Sequence, residues 1–190
     1  MQYPENLGEG RHLLTPEHDL HYHLALALEA LGDRDRARRE LELAADPRPS
    51  QQPPMVPVPL LSDATYWRAL ALRRLGNAAA AERLLQDLRA AAQRQAETEV
   101  RIDFFATSLP SFLLFEDDLG QRNRAHSRYL EGLAHLGLGS RQEARAAFDE
   151  VIESDPNHSA ARWAAMAVRG TSEAETLTTP PSMINLRDGD

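Results

Sequence analysis

Cysteine and lysine are both absent from this chain of 190 residues. Without cysteine there is no disulfide, no thiol nucleophile and no zinc ligand of the sulfur type. Without lysine there is neither a Schiff-base amine nor the lysine of a phosphate-binding loop, and all 21 basic residues are arginine. No apolar run approaches the length of about 18 residues that a membrane-spanning helix needs. These absences exclude several classes of enzyme and predict no membrane segment.

The charge balance is acidic. Aspartate and glutamate number 29, and the formal net charge is −8. Such a surface repels phosphate backbones, which argues against nucleic acid or an anionic membrane as a partner. The first residues lack the features of a signal peptide, and a chain rich in alanine and arginine is typical of a GC-rich genome. We therefore predict a cytoplasmic bacterial protein.

A repeated pattern organises the chain. Three segments align without gaps, and six of their columns are identical: Tyr22–Ala37, Tyr66–Ala81 and Tyr129–Ala144. The shared pattern is Y-x-x-[AG]-L-A-x-x-x-L-G-x-x-x-x-A. Internal repeats of this kind indicate a fold built from stacked copies of one unit.

Each copy has the features of two helices joined by a tight turn. A glycine ends the first helix, at Gly32, Gly76 and Gly139, where a left-handed residue is favoured. The residue that follows each glycine is a favoured N-cap: Asp33, Asn77 or Ser140. Ser140 and Glu143 also have the spacing of a capping box. The pattern therefore predicts helical hairpins.

The second helix of each copy carries an apolar stripe at spacings of four and three residues, which lie on one helical face. The three stripes are Ala37, Leu41 and Ala44; Ala81, Leu85 and Leu88; and Ala144, Phe148 and Val151. One hairpin alone cannot bury such a face, but stacked hairpins can. We expect the three hairpins to pack against one another.

These residues resemble the tetratricopeptide repeat. The alternation of small and large residues, the turn glycine, the alanine five positions later and the closing Asp155-Pro156 all agree with that family. The tryptophan often found early in the first helix is replaced by His21, Thr65 and Arg128. The resemblance implies an all-α fold, a tetratricopeptide-type α-solenoid of three helical hairpins plus a terminal capping helix.

The expected organisation has three parts. An extended segment, residues 1–14, precedes a helical domain, residues 15–170, and a disordered tail follows at residues 171–190. Within the domain we expect hairpins and a capping helix at these positions: about 16–46, 63–96, 120–154 and 158–169. Residues 97–125 form an insertion whose apolar side chains are expected to pack against the hairpins.

Two segments outside the repeats resemble a narrower family. They are YPENLGEG, residues 3–10, and FATSLPSFLLFEDDL, residues 105–119. With the repeats, they look like the C-terminal helical region of large bacterial proteins whose N-terminal part is a mutarotase-like β-sandwich of unknown function. The β-sandwich itself is missing here. The helical region is then either a split-off module or a form that stands alone.

One tyrosine column is expected to line the concave face of the repeats. Tyr22, Tyr66 and Tyr129 would form a ladder of rings for an extended peptide, flanked by Leu26 and Leu70. The alternative is that each ring packs on the adjacent hairpin.

Two further surfaces are candidates for contact with a partner. Arg73 and Arg74 would bind a carboxylate or a phosphate beside the tyrosine ladder, although solvated arginines are the alternative. The apolar insertion would supply a docking surface for another protein at Phe104, Phe105, Phe112 and Phe115.

No metal, cofactor or catalytic site is predicted. His18 and His21 share a helical face and are the residues most suited to zinc or nickel, but a polar start of a helix explains them as well. Glu116, Asp117 and Asp118 lack the alternating ligands of a calcium loop.

The expected function is therefore that of a non-catalytic scaffold that binds a protein or a peptide. The alternative is an accessory or docking module of a carbohydrate-active β-sandwich protein in the same or another chain. Self-association through the apolar insertion is a further partner hypothesis.

Overall fold

The structure is a computed structural model that describes residues 17–47, 61–98 and 119–170. Its described part contains seven α-helices and no strand: α1 (His18–Ala30), α2 (Arg34–Ala44), α3 (Ala64–Arg74), α4 (Ala78–Glu97), α5 (Leu119–Gly137), α6 (Arg141–Ser154) and α7 (Ser159–Gly170). The predicted all-α fold class is confirmed. The N-terminal segment, the tail and most of the insertion lie outside the described residues.

The chain divides into two compact units, with the boundary between Leu84 and Leu85 inside α4. In the first unit α1 and α2 form a hairpin, and α3 packs on both of them. In the second unit α5 and α6 form a hairpin, and α7 packs mainly on α6. Each unit thus contains a helical hairpin on which one further helix packs.

The turn glycines lie where the pattern places them. Gly32, Gly76 and Gly139 have φ angles of 83°, 87° and 87°, and they are the glycines with positive φ among the described residues. At the third turn the Gly139 amide donates to the Leu136 carbonyl at 3.1 Å, and the Ser140 amide donates to the His135 carbonyl at 2.9 Å. This pair of bonds is the Schellman motif, and the same pair closes the other two turns.

The predicted N-caps are confirmed in two turns out of three. The Asp33 carboxylate accepts from the Arg36 amide at 3.1 Å, and the Asn77 side chain accepts from the Ala80 amide at 3.3 Å. Ser140 stands at the N-cap of α6, but its hydroxyl makes no capping hydrogen bond. The predicted capping box is therefore not formed.

The apolar stripes form the cores of the two units. All nine stripe residues of the second helices are at most 4% exposed. The third copy differs from the first at two equivalent positions. Gly132 takes the small-residue position held by Ala25, and Phe148 replaces Leu41 on the second helix. A Cβ on Gly132 would lie only 2.6 Å and 2.8 Å from two ring carbons of Phe148. Glycine at this position is required by the close approach of the ring.

Candidate functional site

The tyrosine column lies in the cores of the hairpins. Tyr22, Tyr66 and Tyr129 are only 3%, 2% and 7% exposed. The Tyr22 and Tyr66 rings lie beside Trp67, with ring centres 5.6 Å and 5.1 Å from its own. This is a correction to the predicted ladder of accessible rings: neighbouring helices cover the ring faces, as the packing alternative required. Contact between these tyrosines and a partner stays a prediction, and their burial does not support it.

The two leucines predicted to flank the ladder are also buried. Leu26 is 8% exposed and Leu70 is 9% exposed. The column that contains them faces the interior, because the small residues Ala25 and Ala69 before them allow neighbouring helices to approach closely. We therefore assign these leucines to the core, and a direct contact with a partner stays untested.

Arg74 lies at the surface of the first unit and has two polar partners. Its guanidinium donates to the carboxylate of Glu29 on α1 and to the hydroxyl of Tyr22. Burial raises the pKa of Tyr22, and the charge of Arg74 opposes that rise. Arg74 is therefore held in a defined orientation by one acidic and one neutral group.

A cleft of about 470 Å³ opens next to Arg74. It is lined by α1, α2 and the end of α3, at Glu29, Arg34, Arg38, Leu41, Arg74 and Leu75. Leu41 is buried, and Arg34 and Arg38 are exposed one helical turn apart. Arg73, which was predicted to act with Arg74, does not line the cleft. The arginines that line the cleft with Arg74 are therefore Arg34 and Arg38, and not Arg73.

The three arginines differ in their pairing. Arg74 binds Glu29, and Arg38 binds Glu42 at 3.2 Å in an exposed pair. Arg34 makes no ion pair with any residue that the structure describes. Guanidinium groups bind carboxylates through paired hydrogen bonds, so the cleft can hold an acidic group above an apolar floor.

The histidines at the start of α1 are engaged in separate hydrogen bonds. His18 Nδ1 lies 3.0 Å from the Ala44 carbonyl, His21 Nδ1 lies 2.7 Å from Glu40 Oε2, and His23 Nδ1 lies 2.7 Å from the Asp19 carbonyl. Burial lowers the pKa of His18, against the hydrogen bond to Ala44. Within the described ranges, no three histidine or acidic side chains come together as a metal site.

In the second unit, Arg128 stands at the position where the family often has a tryptophan, and it forms a network of ion pairs. The guanidinium of Arg128 donates to Glu150 of α6 at 2.7 Å and 2.9 Å, and also to Glu131 on its own helix. Gln93 of α4 donates to Glu131 at 2.8 Å. Burial alone would raise the pKa of Glu131, but the hydrogen bonds from Gln93 and Arg128 outweigh it and lower that pKa. The network connects three helices.

A second cleft, of about 330 Å³, lies beside this network. Small side chains form much of its wall, and they include Ala92, Ala96 and Ala125. Ser127 in its lining is 1% exposed, and among the described residues the Ser127 hydroxyl has no hydrogen-bond partner. The cleft is thus lined by small side chains and by a buried serine next to Arg128.

The last helix has one buried face and one exposed apolar face. Ala161, Ala165 and Val168 are buried, whereas Trp163 is 68% exposed and Met166 is 62% exposed. His158 caps the start of the helix, since its Nδ1 accepts from the Ala161 amide at 3.1 Å. Sequence reasoning missed both features: the apolar periodicity identified the helix, but it did not show which of its faces is covered.

The docking surface predicted for the insertion is not among the described residues. Phe104, Phe105, Phe112 and Phe115 lie outside the described residues. None of the described helices has the length and the apolar character needed to cross a membrane.

Comparison with known families supports the repeat. Two tetratricopeptide repeat models match the chain, one at residues 18–50 and one at residues 129–172. The matched ranges contain α1 and α2 in the first unit and the α5–α6 turn, α6 and α7 in the second. No solved structure matches the chain. Each unit therefore contains a segment that matches a tetratricopeptide repeat model, and such repeats in general mediate contacts between proteins.

Proposed function

We propose that this tetratricopeptide repeat protein is a non-catalytic scaffold that binds a protein or peptide segment through the concave face of its helical repeats. The contact site that we assign to this face is the cleft between α1, α2 and α3. Repeats of this family act as binding surfaces, and the polar groups of the cleft are suited to recognition of a charged chain.

The observation that carries this proposal is the arginine lining of the cleft. The whole chain has a net charge of −8, but this cleft is lined by three arginines and a single glutamate. Arg34 has no carboxylate partner in the described part of the chain, and the apolar side chain of Leu75 belongs to the same lining. A peptide with a carboxylate next to an apolar side chain satisfies both features.

The buried residues of the predicted groove have an indirect role in this proposal. Tyr22 supports Arg74 through its hydroxyl, and Leu26 and Leu70 fill the core beneath the helices. These residues set the positions of the arginines and do not themselves contact the bound segment.

The test is site-specific photo-cross-linking in cells of the source organism. A photoreactive residue replaces Arg34 in one chain and Arg39 in the control, because Arg39 is equally exposed on α2 but does not line the cleft. We expect a protein captured from position 34 and not from position 39. The same captured proteins from both positions would contradict the proposed site, and no captured protein from either would contradict the function.

A charge reversal then tests the chemistry of the captured partner. Arg34→Glu should weaken its binding by about tenfold, whereas Arg39→Glu should leave the affinity unchanged, because only Arg34 faces the bound carboxylate. Equal affinities for the two variants would show that the cleft does not bind the partner.

A second candidate function is that of a docking module for a carbohydrate-active β-sandwich protein. It is supported by the resemblance of residues 3–10 and 105–119 to a family in which such a domain precedes the helical region. Co-expression with a β-sandwich chain encoded beside this one should yield a complex that survives size-exclusion chromatography. Separate elution of the two chains would count against this candidate.

A further inference from the structure

We propose that α7 is the first helix of an incomplete fourth hairpin, and that its open side binds an acidic amphipathic helix of a partner protein. The inference rests on the proposed binding function and names the chemistry of a partner. It concerns the second unit, away from the arginine cleft of the first.

The register of the repeat identifies the position of α7. Trp163 follows Tyr129 by 34 residues, and Met166 follows Gly132 by the same interval, which is the period of the tetratricopeptide repeat. Trp163 therefore stands in the tyrosine column, and Met166 stands in the column of small residues. Both columns belong to the first helix of a hairpin.

The third hairpin shows what covers these columns when a hairpin is complete. Tyr129 is 7% exposed, and the centre of its ring lies 6.1 Å from that of Phe148 on α6. The backbone of Gly132 also lies against the Phe148 ring. The second helix of the hairpin thus contacts both positions that correspond to Trp163 and Met166. The Tyr129 ring also lies against His158, just before α7, with ring centres 4.9 Å apart.

No described helix covers Trp163 and Met166, the residues at the equivalent positions of α7. Ala161, Ala165 and Val168 seat the helix on the third hairpin, but Trp163 and Met166 remain mostly exposed on the opposite side. Large apolar side chains that are adjacent and exposed mark a surface for association. The repeat indicates the kind of occupant, because a helix fills this place in the completed third hairpin.

The charges on α7 indicate the character of that helix. The helix contains two arginines, Arg162 and Arg169, and no acidic residue. Two copies of α7 packed together would bring like charges close to each other. A helix that carries carboxylates beside its apolar stripe, as α6 does, is favoured instead, and Arg169 already binds Asp149 of α6 at 2.9 Å.

The segment directly after α7 is too short to supply such a helix before a proline interrupts it. Nine residues separate Gly170 from Pro180, and proline interrupts a helix. The shortest second helix in the described part of the chain, α2, has 11 residues. We therefore assign the occupant to another protein.

A synthetic peptide based on α6 provides a defined probe. It has the sequence of residues 139–157 with Phe148→Ala. In the third hairpin the Phe148 ring lies against Gly132, but α7 has the larger Met166 at the equivalent position, so the peptide needs a smaller side chain there. Binding of the fluorescein-labelled peptide to the full chain is measured by anisotropy. The variants Trp163→Ser and Met166→Ser should each weaken binding by about tenfold, because each removes an apolar anchor from the contact.

Matched controls separate this site from other modes of binding. Leu31→Ser changes a leucine that is 82% exposed in the first unit, and it should leave the affinity unchanged. The peptide that retains Phe148 should bind more weakly than the peptide with the Phe148→Ala change. If the peptide instead displaced the chain's own α6 from the third hairpin, the peptide with Phe148 would bind more tightly. Its affinity would then not change in the Trp163→Ser variant.

The free chain must also show that the face is accessible. In the Trp67→Phe background Trp163 is the single tryptophan, and iodide should quench its fluorescence until the peptide is added. Protection of Trp163 in the free monomer would make the chain's own tail the occupant and overturn the proposal. A dimer in light scattering that Met166→Ser dissociates would make a second copy the occupant and overturn it as well.

Absence of peptide binding, or equal affinity for all the variants, would also refute the inference. The cross-linking experiment at Arg34 reports on the first unit. Its success together with a failed peptide titration would leave the proposed function intact and remove only the fourth-hairpin site.

Discussion

Glycine has two distinct roles in the repeats. Gly139 has a φ of 87°, and a methyl group added there would meet no described atom within 4 Å, so its backbone conformation alone explains the glycine. Gly132 is helical, and a methyl group there would collide with Phe148. Sequence periodicity predicted the first role because a helix end is a local feature. The second depends on a ring that is 16 positions away in the chain, and the alternation of small and large residues does not identify that ring.

Gly132→Ala should destabilise the protein by about 1–3 kcal/mol, because the added methyl group overpacks the buried Phe148 ring. In the Phe148→Leu background the same change should be neutral or stabilising, since the space is larger and alanine is the better helix former. Urea denaturation of the two single variants and the double variant measures this coupling. Additive free energies of unfolding would show that the ring does not explain the glycine.

His158 should make the stability of α7 dependent on pH. Burial lowers its pKa, against the charge of Asp155, from an ordinary value of 6.5. A depressed pKa means that the cap contributes fully above pH 6.5 and is lost as the pH falls through the lower folded value. Protonated Nδ1 cannot accept from the Ala161 amide, so acid should fray the first turn of the helix.

Two substitutions test this cap. His158→Ala should cost about 1 kcal/mol at neutral pH, as loss of an N-cap usually does. His158→Asn should keep the cap and abolish the pH dependence of amide exchange in α7 between pH 7.5 and 5. An unchanged pH profile in the asparagine variant would assign the dependence to a group other than His158.

At the level of helices, polar contacts replace an aromatic anchor. Arg128 stands where a tryptophan is often found, and it connects α5 with α6 through Glu150. The substitution is visible in the sequence, but its consequence is not. Glu150 and Gln93 come from separate helices, and their meeting at Arg128 and Glu131 depends on packing that no local pattern encodes.

Arg128→Ala should lower the free energy of unfolding by about 1–3 kcal/mol at neutral pH, because Glu131 is left half-buried without its charged partner. The pKa of Glu131 is depressed, so its contribution is present above its ordinary value of 4.5 and is lost as the pH falls through the folded value. The difference between the variant and the native chain should therefore shrink in acid, as measured by urea denaturation at pH 7 and pH 3.

Arg145→Ala is the matched control for this prediction. Its partner Asp149 lies 3.5 Å away on the same helix, and both side chains are substantially exposed. Such a surface pair contributes at most about 1 kcal/mol. An equal loss for the two variants would mean that the Arg128 network has no special role.

At the scale of the whole chain, the sequence allowed the hairpins to be predicted but not their surfaces. The turns and stripes follow from residues a few positions apart, and for this reason the helices and Gly32, Gly76 and Gly139 were predicted correctly. The accessibility of Tyr22 and Trp163 depends on whether a neighbouring helix covers each of them. Two aromatic residues of the same column thus have opposite environments, one buried and one exposed.

The division into two units passes through α4, a single helix of 20 residues. Neighbouring repeats stabilise each other through the elements that they share. Asp87 is exposed and lies just beyond the boundary. Proline at this position removes a backbone hydrogen bond and costs about 3 kcal/mol or more in a helix interior.

Asp87→Pro should therefore uncouple the unfolding of the two units. Hydrogen-exchange mass spectrometry along a urea gradient should give one midpoint for α1–α3 and another for α5–α7 in this variant, and a common midpoint in the native chain. Asp87→Ala removes the same carboxylate while keeping the helix, and it should retain the common midpoint. A common midpoint in the proline variant would show that coupling between the units does not pass through the continuity of α4.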